Sequence, residues 1–233
     1  MKNIRVIIID DERTARAEVK RLLEGHQGFD VVAEAKNADE AKILIEAEKP
    51  DLIFLDIQMP EKSGFDLLES LEKVPQVIFI TAFDRYAVKA FEVSAIDYLM
   101  KPVREERFAK AIEQVRSKIK SSDEDRIFIK DGHQYHFVNW STVYLIESMD
   151  NYARLYFDGK KVFLKSSLNQ LEKTLDEAVF FRINRAQIIN IKFIDKIYAA
   201  PKGRVKLSFT TGDAFEVSER QSLKFKNRMR TQT

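Results

Sequence analysis

Short apolar runs alternate with helical periodicity through the first half of the chain. Arg5–Asp10 (RVIIID) is apolar at every position between its charged ends, the pattern of a strand buried on both faces. Ala15, Val19, Leu22 and Leu23 then repeat at helical spacing until His26-Gln27-Gly28 breaks the pattern. The unit recurs. Phe29–Ala33 predicts a strand, Asp39–Glu48 a helix with Ala41, Leu44 and Ile45 inward, and Leu52–Asp56 the next strand. Phe65, Leu67, Leu68 and Leu71 mark a short helix, Val77–Thr81 a strand, Tyr86–Val93 a helix, Tyr98–Met100 a strand and Arg104–Ile119 a helix. Five strand–helix units with short connections imply a parallel sheet with helices on both faces.

The pattern changes after the polar stretch at 121–126, which reads as a linker between a first domain at 1–120 and a second at 127–233. Beyond it Ile127–Ile129, Tyr135–Val138, Val143–Ile146, Ala153–Phe157 and Val162–Leu164 predict strands, with Asp131-Gly132 and Asp158-Gly159 as hairpin dipeptides. A helix fits Ser167–Leu175, with Leu168, Leu171 and Leu175 on one stripe. Phe180 and Phe181 read as core, and Ile188-Ile189 as a strand or buried turn. Strands at Ile194–Ala199, Val205–Phe209 and Ala214–Val217 follow, and Ser218 is placed to cap a last, basic helix. The second half is therefore mostly β.

With 39 Lys and Arg against 37 Asp and Glu, the net charge is only +2, but it is unevenly spread. Residues 1–120 carry 20 basic and 23 acidic side chains, a net of −3, and residues 121–233 carry 19 and 14, a net of +5. The basic half is the candidate for a polyanionic partner. The chain has no cysteine, which excludes disulfides, thiolate metal sites and cysteine nucleophiles and fits a reducing cytoplasmic setting. No segment approaches the roughly 20 apolar residues that span a bilayer, and the N-terminus enters a strand without a signal-peptide pattern.

The chemistry gathers at predicted strand ends: Asp10 and Asp11 after the first, Asp56 after the third, Thr81 at the end of the fourth, Lys101 just past the fifth. In a parallel sheet these ends share one edge, where open α/β sheets place their ligand sites. Pro60 ends the third strand and makes Gln58–Ser63 a loop. Three clustered carboxylates repel unless a cation neutralises them, and an all-oxygen site suits Mg²⁺. Lys101 and Thr81 supply a positive point and a hydroxyl for the oxygens of a phosphoryl group, with Asp56 as nucleophile. A phosphatase of the haloacid-dehalogenase kind needs a second aspartate where Gln58 stands, and a nucleotide-binding enzyme wants a glycine-rich loop that DDERTAR lacks. His133 and His136 are too few for a metal site.

Residues 4–119 resemble the receiver domain of a two-component response regulator, with IIIDDE, FLDIQMP, FITAF and DYLMKP as the shared motifs. The resemblance implies a flavodoxin-like (βα)5 fold in which Asp56 accepts phosphate and Asp11 binds Mg²⁺ directly. It further implies that Asp10 binds Mg²⁺ through water and that the Gln58 carbonyl completes the metal site. Thr81 and Tyr98 match the switch pair, Lys101-Pro102 matches a lysine followed by a cis proline, and Lys89, Asp97 and Arg107 fall on the face expected to dimerise. Such a domain promotes its own phosphorylation and dephosphorylation but is otherwise no enzyme.

Residues 127–230 resemble the LytTR-type DNA-binding domain through YLIESMDNYARL, LKSSLNQLEKTL, FFRINRAQIIN and VSERQ, with Asn184 and Ala186 where histidine and serine are usual. Asn151, Lys165, Arg182, Arg185, Asn190, Lys202, Arg204 and Arg220 sit in or beside turns, where Asn and Arg can read base edges and Lys contacts phosphate. By resemblance, Asn151, Asn190 and Arg220 enter the grooves. Together the halves imply a transcription regulator phosphorylated by a sensor histidine kinase, dimeric when phosphorylated and bound to double-stranded promoter DNA. A receiver-regulated protein- or RNA-binding module is the alternative.

Overall fold

The computed structural model describes residues 3–82, 95–119, 126–132 and 134–231. They form two compact units, Met1–Trp140 and Ser141–Thr233. The first is built on a five-stranded parallel sheet of β1 (Ile4–Ile9), β2 (Phe29–Ala35), β3 (Leu52–Leu55), β4 (Gln76–Thr81) and β5 (Asp97–Met100), in the order β2-β1-β3-β4-β5. That is the flavodoxin-like order with its switch between β1 and β3.

Both faces of the central strands are buried, which is why the runs show no polar alternation. Ile7, Ile9, Ile53, Leu55, Val77 and Phe79 face α2 (Ala38–Glu48) and α3 (Gly64–Glu69), while Val6, Ile8, Leu52, Phe54, Ile78 and Ile80 face α1 (Arg13–Glu24) and α4 (Glu105–Ile119). Phe54 stacks on Phe108 of α4, ring centres 5.5 Å apart. Asn37 caps α2 by accepting from the Glu40 amide, and Ser63 and Asp66 form a reciprocal capping box on α3. α3 is shorter than its apolar pattern predicts, yet Leu71 is buried beyond its end. The predicted helix at Tyr86–Val93 and most of the linker, 121–125, lie outside the described residues.

The first compact unit extends past the linker expected at 121–126, as far as Trp140. The reason is the antiparallel hairpin of β6 (Arg126–Asp131) and β7 (Gln134–Asn139), expected to open the second domain. Phe128 belongs instead to the core layer under α2 and α3, with Tyr135 and Phe137 packed against it.

The second unit holds a five-stranded antiparallel sheet in the order β10-β9-β8-β12-β11 and a three-stranded sheet β13-β14-β15. Its strands are β8 (Val143–Met149), β9 (Tyr152–Phe157), β10 (Lys160–Leu164), β11 (Phe180–Arg182), β12 (Gln187–Asn190), β13 (Ile194–Ala199), β14 (Val205–Phe209) and β15 (Ala214–Val217). Ile188-Ile189 is thus strand, and Phe180-Phe181 begins a strand that a three-residue run is too short to announce. Asp158 and Gly159 both take positive φ, 47° and 70°, as the two-residue turn between β9 and β10 requires. Two helices, α5 (Leu168–Thr174) and α6 (Glu219–Thr231), complete the unit. Phe225 of α6 enters a core with Leu145, Ile189, Leu207 and Phe209 that joins the two sheets.

Truncating Phe108, fully buried against Phe54, removes a stacked ring without space for collapse. Phe108→Ala is expected to lower the first unit's stability by about 3–5 kcal/mol, measured by urea denaturation followed by circular dichroism.

Candidate functional site

Ladder hydrogen bonds carry the chemistry-bearing residues just past their strands. The Asp10 amide donates to the Ala35 carbonyl (3.1 Å), the Asp56 amide to Ile9 (2.9 Å) and the Lys101 amide to Thr81 (3.0 Å). Because β1, β3, β4 and β5 are parallel, all these residues share one sheet edge. Carboxylate oxygens of Asp10, Asp11 and Asp56 lie within 4.8 Å of one another. At that separation each ionised pair repels by about 3 kcal/mol with an effective dielectric near 20. Lys101 Nζ lies 2.7 Å from both Asp10 Oδ2 and Asp56 Oδ2. One ammonium against three carboxylates leaves the cluster short of positive charge.

The remaining oxygens are oriented by backbone amides. Asp56 Oδ1 accepts from the Gln58 amide at 3.1 Å and Asp10 Oδ1 from the Glu12 amide at 2.9 Å. Burial raises the Asp10 carboxyl above its ordinary pKa, against the pull of its bonds to Lys101 and Glu12. Burial also disfavours the charged Lys101 ammonium, but its hydrogen bonds to Asp10 and Asp56 outweigh this and raise its pKa. Asp11 is solvent-exposed. The donor set, three carboxylates with one of them open to solvent and the Gln58 carbonyl beside them in the chain, fits a small hard divalent cation such as Mg²⁺.

Thr81 is fully buried and its Oγ1 has no hydrogen-bond partner. A buried hydroxyl without a partner costs about 1–3 kcal/mol, an expense out of place in an ordinary core and in place beside a site that binds oxygens. Tyr98 is packed inward with the core layer under α2 and α3. The Lys101-Pro102 bond is cis. Lys89 lies outside the described residues. Asp97 and Arg107, expected on a dimer face, form a two-pronged ion pair with each other, with Arg107 Nη1 2.6 Å from Asp97 Oδ2 and Nη2 on Oδ1.

Gly64 is a site residue that the sequence reading passed over. A Cβ there would lie 2.4 Å from the Asp56 carbonyl oxygen, so only glycine lets α3 start against the Asp56 loop. The available signal was a glycine four residues after Pro60 and directly after a capping serine.

In the second unit the expected contact residues divide. Asn151, Lys165, Arg185, Lys202 and Arg220 are exposed. Asn190 is not: it is fully buried, and its Oδ1 accepts from the Lys192 amide at 3.0 Å. Arg182 is half-buried and spent on local order, donating to Asn169 Oδ1 (2.6 Å), Glu172 Oε2 (2.9 Å) and the carbonyls of Asn184 (3.2 Å) and Arg185 (2.9 Å). Arg204 pairs with Glu216 at 2.8 Å. The turn bearing Lys202 is held to α6, the helix of Arg220, by Lys226 Nζ on the Gly203 carbonyl at 2.8 Å. The loop bearing Arg185 is tied down from its other side by a chain of hydrogen bonds. Tyr156 donates to Glu147 (2.6 Å), Gln187 donates to Glu147 (2.9 Å), and Asn184 donates to Gln187 (2.9 Å) and accepts from the Ala186 amide (2.8 Å).

Residues 6–113 match the response regulator receiver domain family, and residues 133–230 match the LytTr DNA-binding domain family. The chain is 32% identical to the sensory transduction protein LytT of Enterococcus faecalis, over 96% of this chain and 98% of that one. It is a LytTR-family response regulator. The regulator is also 34% identical to the transcriptional regulatory protein BtsR of Salmonella typhi, over 93% and 95% of the two chains. Among solved structures, the response regulatory domain of protein mrkE from Klebsiella pneumoniae is 30% identical, covering 51% of this chain and all of its own, with a TM-score of 0.47. No helix among the regulator's described residues is long and apolar enough to cross a membrane.

Because the folded state holds a proton on Asp10 more readily than the unfolded chain does, ionised Asp10 costs stability. The cost is present above the raised folded pKa and is relieved as pH falls through it towards the ordinary value of 3.8. Asp10→Asn is therefore expected to raise the urea midpoint at neutral pH, and the gain should shrink as pH approaches about 4. A midpoint that falls at neutral pH would show that Lys101 needs Asp10 more than Asp10 is harmed by burial.

Proposed function

We propose that the regulator is switched by phosphorylation of Asp56. The observation that carries this reading is the placement of Lys101 Nζ at 2.7 Å from Asp56 Oδ2, with the Lys101 amide bonded to the carbonyl of Thr81, whose buried hydroxyl has no partner. One Asp56 carboxylate oxygen attacks the phosphorus of a phosphohistidine on a sensor kinase. The O–P bond forms as the P–N bond breaks, and the imidazole leaves with the bonding electron pair. Lys101 transfers a hydrogen bond from Asp56 to a phosphoryl oxygen, and Thr81 turns its free hydroxyl to another. Asp10, Asp11, Asp56 and the Gln58 carbonyl would hold Mg²⁺, which when bound neutralises charge on the transferring group.

The acyl phosphate carries about −1.5 to −2 charge where the Asp56 carboxylate carried a single one, in a cluster already short of cations. Thr81 is the group placed to respond. Tyr98, buried in the core layer on the neighbouring strand, is the ring that repacks with it. Phosphorylation then favours a cytoplasmic homodimer on paired DNA half-sites. The internal Asp97–Arg107 pair must open for either residue to bridge two copies.

On the DNA side, Asn151, Lys165, Arg185, Lys202 and Arg220 make the contacts, and Arg182 and Asn190 shape the loops that present them. Incubation of the full chain with acetyl phosphate and Mg²⁺ should add one phosphoryl group by intact mass, and neither Asp56→Asn nor chelation of Mg²⁺ should permit it. Equal labelling of Asp56→Asn would refute the assignment. Arg185→Ala and Arg220→Ala should each lower the slope of log affinity against log salt by about one, measured by fluorescence anisotropy on duplex DNA. Asn190→Ala should act through fold stability and leave that slope unchanged.

A further inference from the structure

β6 lies between the two family matches and β7 inside the second, yet the hairpin packs with the first unit. Two features hold it there. The Phe65 ring of α3 stacks on Tyr135 with centres 4.5 Å apart and lies parallel to Phe128 at 6.0 Å, while its edge meets Phe79 of β4 at 5.3 Å. Phe65 is thus the ring through which the hairpin joins the sheet core. Arg126, only 8% exposed, donates from Nε to the Val74 carbonyl (3.2 Å) and from Nη2 to Pro75, and the Val74 amide returns a bond to the Arg126 carbonyl (3.0 Å). Its guanidinium lies over the Phe137 ring at 4.8 Å. Burial lowers its pKa to about 10, which leaves it charged at neutral pH and dependent on these partners.

The same end of α3 abuts the Asp56 loop. Gly64 precedes Phe65, its amide bonds the Ile57 carbonyl at 2.8 Å, and its missing side chain is what lets it approach the Asp56 carbonyl. The capping box of Ser63 and Asp66 makes this first turn rigid. Gly64, packed against the Asp56 carbonyl, is the chain neighbour of Phe65, and packed cores respond to small displacements by discrete repacking.

We propose that the β6–β7 hairpin is an output arm of the receiver, docked on α3 through Phe65 and Arg126. The state of the Asp56 loop reaches the DNA-binding domain through Gly64, Phe65 and this arm. The arm is suited to the task by connectivity, since Asn139 at its end leads through a single turn at Trp140–Thr142 into β8. Lys130 on the same strand as Phe128 also attracts Asp66 and Glu69 of α3, so charge as well as aromatic packing favours the docked arm. The inference rests on Asp56 being the phosphoacceptor only for its trigger.

Hydrogen exchange on the full chain tests it, read on peptides covering 126–139, with peptides covering 4–9 as the folding control. Wild type is measured with and without acetyl phosphate and Mg²⁺, beside Gly64→Ala, which forces the Asp56 loop and α3 apart without any phosphate. Should Gly64→Ala lose protection over 4–9, Ser63→Ala replaces it, since it frees the α3 cap. The expected result is several-fold faster exchange across 126–139 in the variant and a change over the same peptides in phosphorylated wild type. Tyr135→Ala should take up phosphate to the wild-type extent but show fast hairpin exchange that no longer responds to it. Wild type that gains the phosphoryl mass with no change over 126–139 overturns the proposal. Wild type that gains no phosphoryl mass refutes the phosphoacceptor reading instead. The loop variant then decides alone: faster hairpin exchange supports the docked arm, and unchanged exchange overturns it.

Discussion

Three clustered carboxylates, two of them sharing one ammonium, at the edge of a parallel sheet are the constraint on which the first unit depends. Lys101 is held to Asp10 and Asp56 at once, and the cluster lies where desolvation makes every uncompensated charge expensive. Such a site exists only because the rest of the sheet over-determines it. Apolar runs with no polar face force strands into the middle of two helical layers, parallel pairing brings their ends to one edge, and ladder bonds from Asp10, Asp56 and Lys101 extend the order one residue past each strand. Several costs are retained in the same place: the raised Asp10 carboxyl, the orphaned Thr81 hydroxyl, and a glycine at the start of a helix. Costs concentrated beside one charge cluster are the signature of a site kept for binding rather than for stability.

The basic half follows another rule. Its positive side chains serve two ends, and only contacts tell them apart. Arg182 and Arg204 are engaged by carboxylates or carbonyls, whereas Arg185, Lys165, Lys202 and Arg220 are exposed. Glu147, at the centre of the hydrogen-bonded chain from Tyr156 to Asn184, orders the loop that exposes Arg185. Asn184 anchors that loop through its amide, donating to Gln187 and accepting from the Ala186 amide.

The receiver half was legible because each element announces itself locally and the fold rule for parallel sheets does the rest. Strand ends carrying Asp, Thr and Lys predict a convergent edge once the topology is inferred, and Asp10, Asp11, Asp56, Thr81 and Lys101 are the residues that fall on it. The output half was legible in its strands but less so in its contacts. Asn190 sits in a turn-forming context that suits a groove contact and a buried cap equally well, and burial alone separates the two. The three residues of β11 are too few to show a period.

The order of elements, a parallel sheet with helices on both faces and the residues of the acidic cluster follow from the sequence, because strand periodicity, turn chemistry and charge are properties of neighbours along the chain. Contacts between elements distant in sequence do not. The approach of Gly64 to the Asp56 carbonyl, the pairing of Asp97 with Arg107, the loss of Asn190 to the interior and the docking of the Phe128 hairpin on Phe65 were decided by tertiary packing. Each depends on how closely two surfaces meet, and that distance is set by the volumes of all the side chains between them.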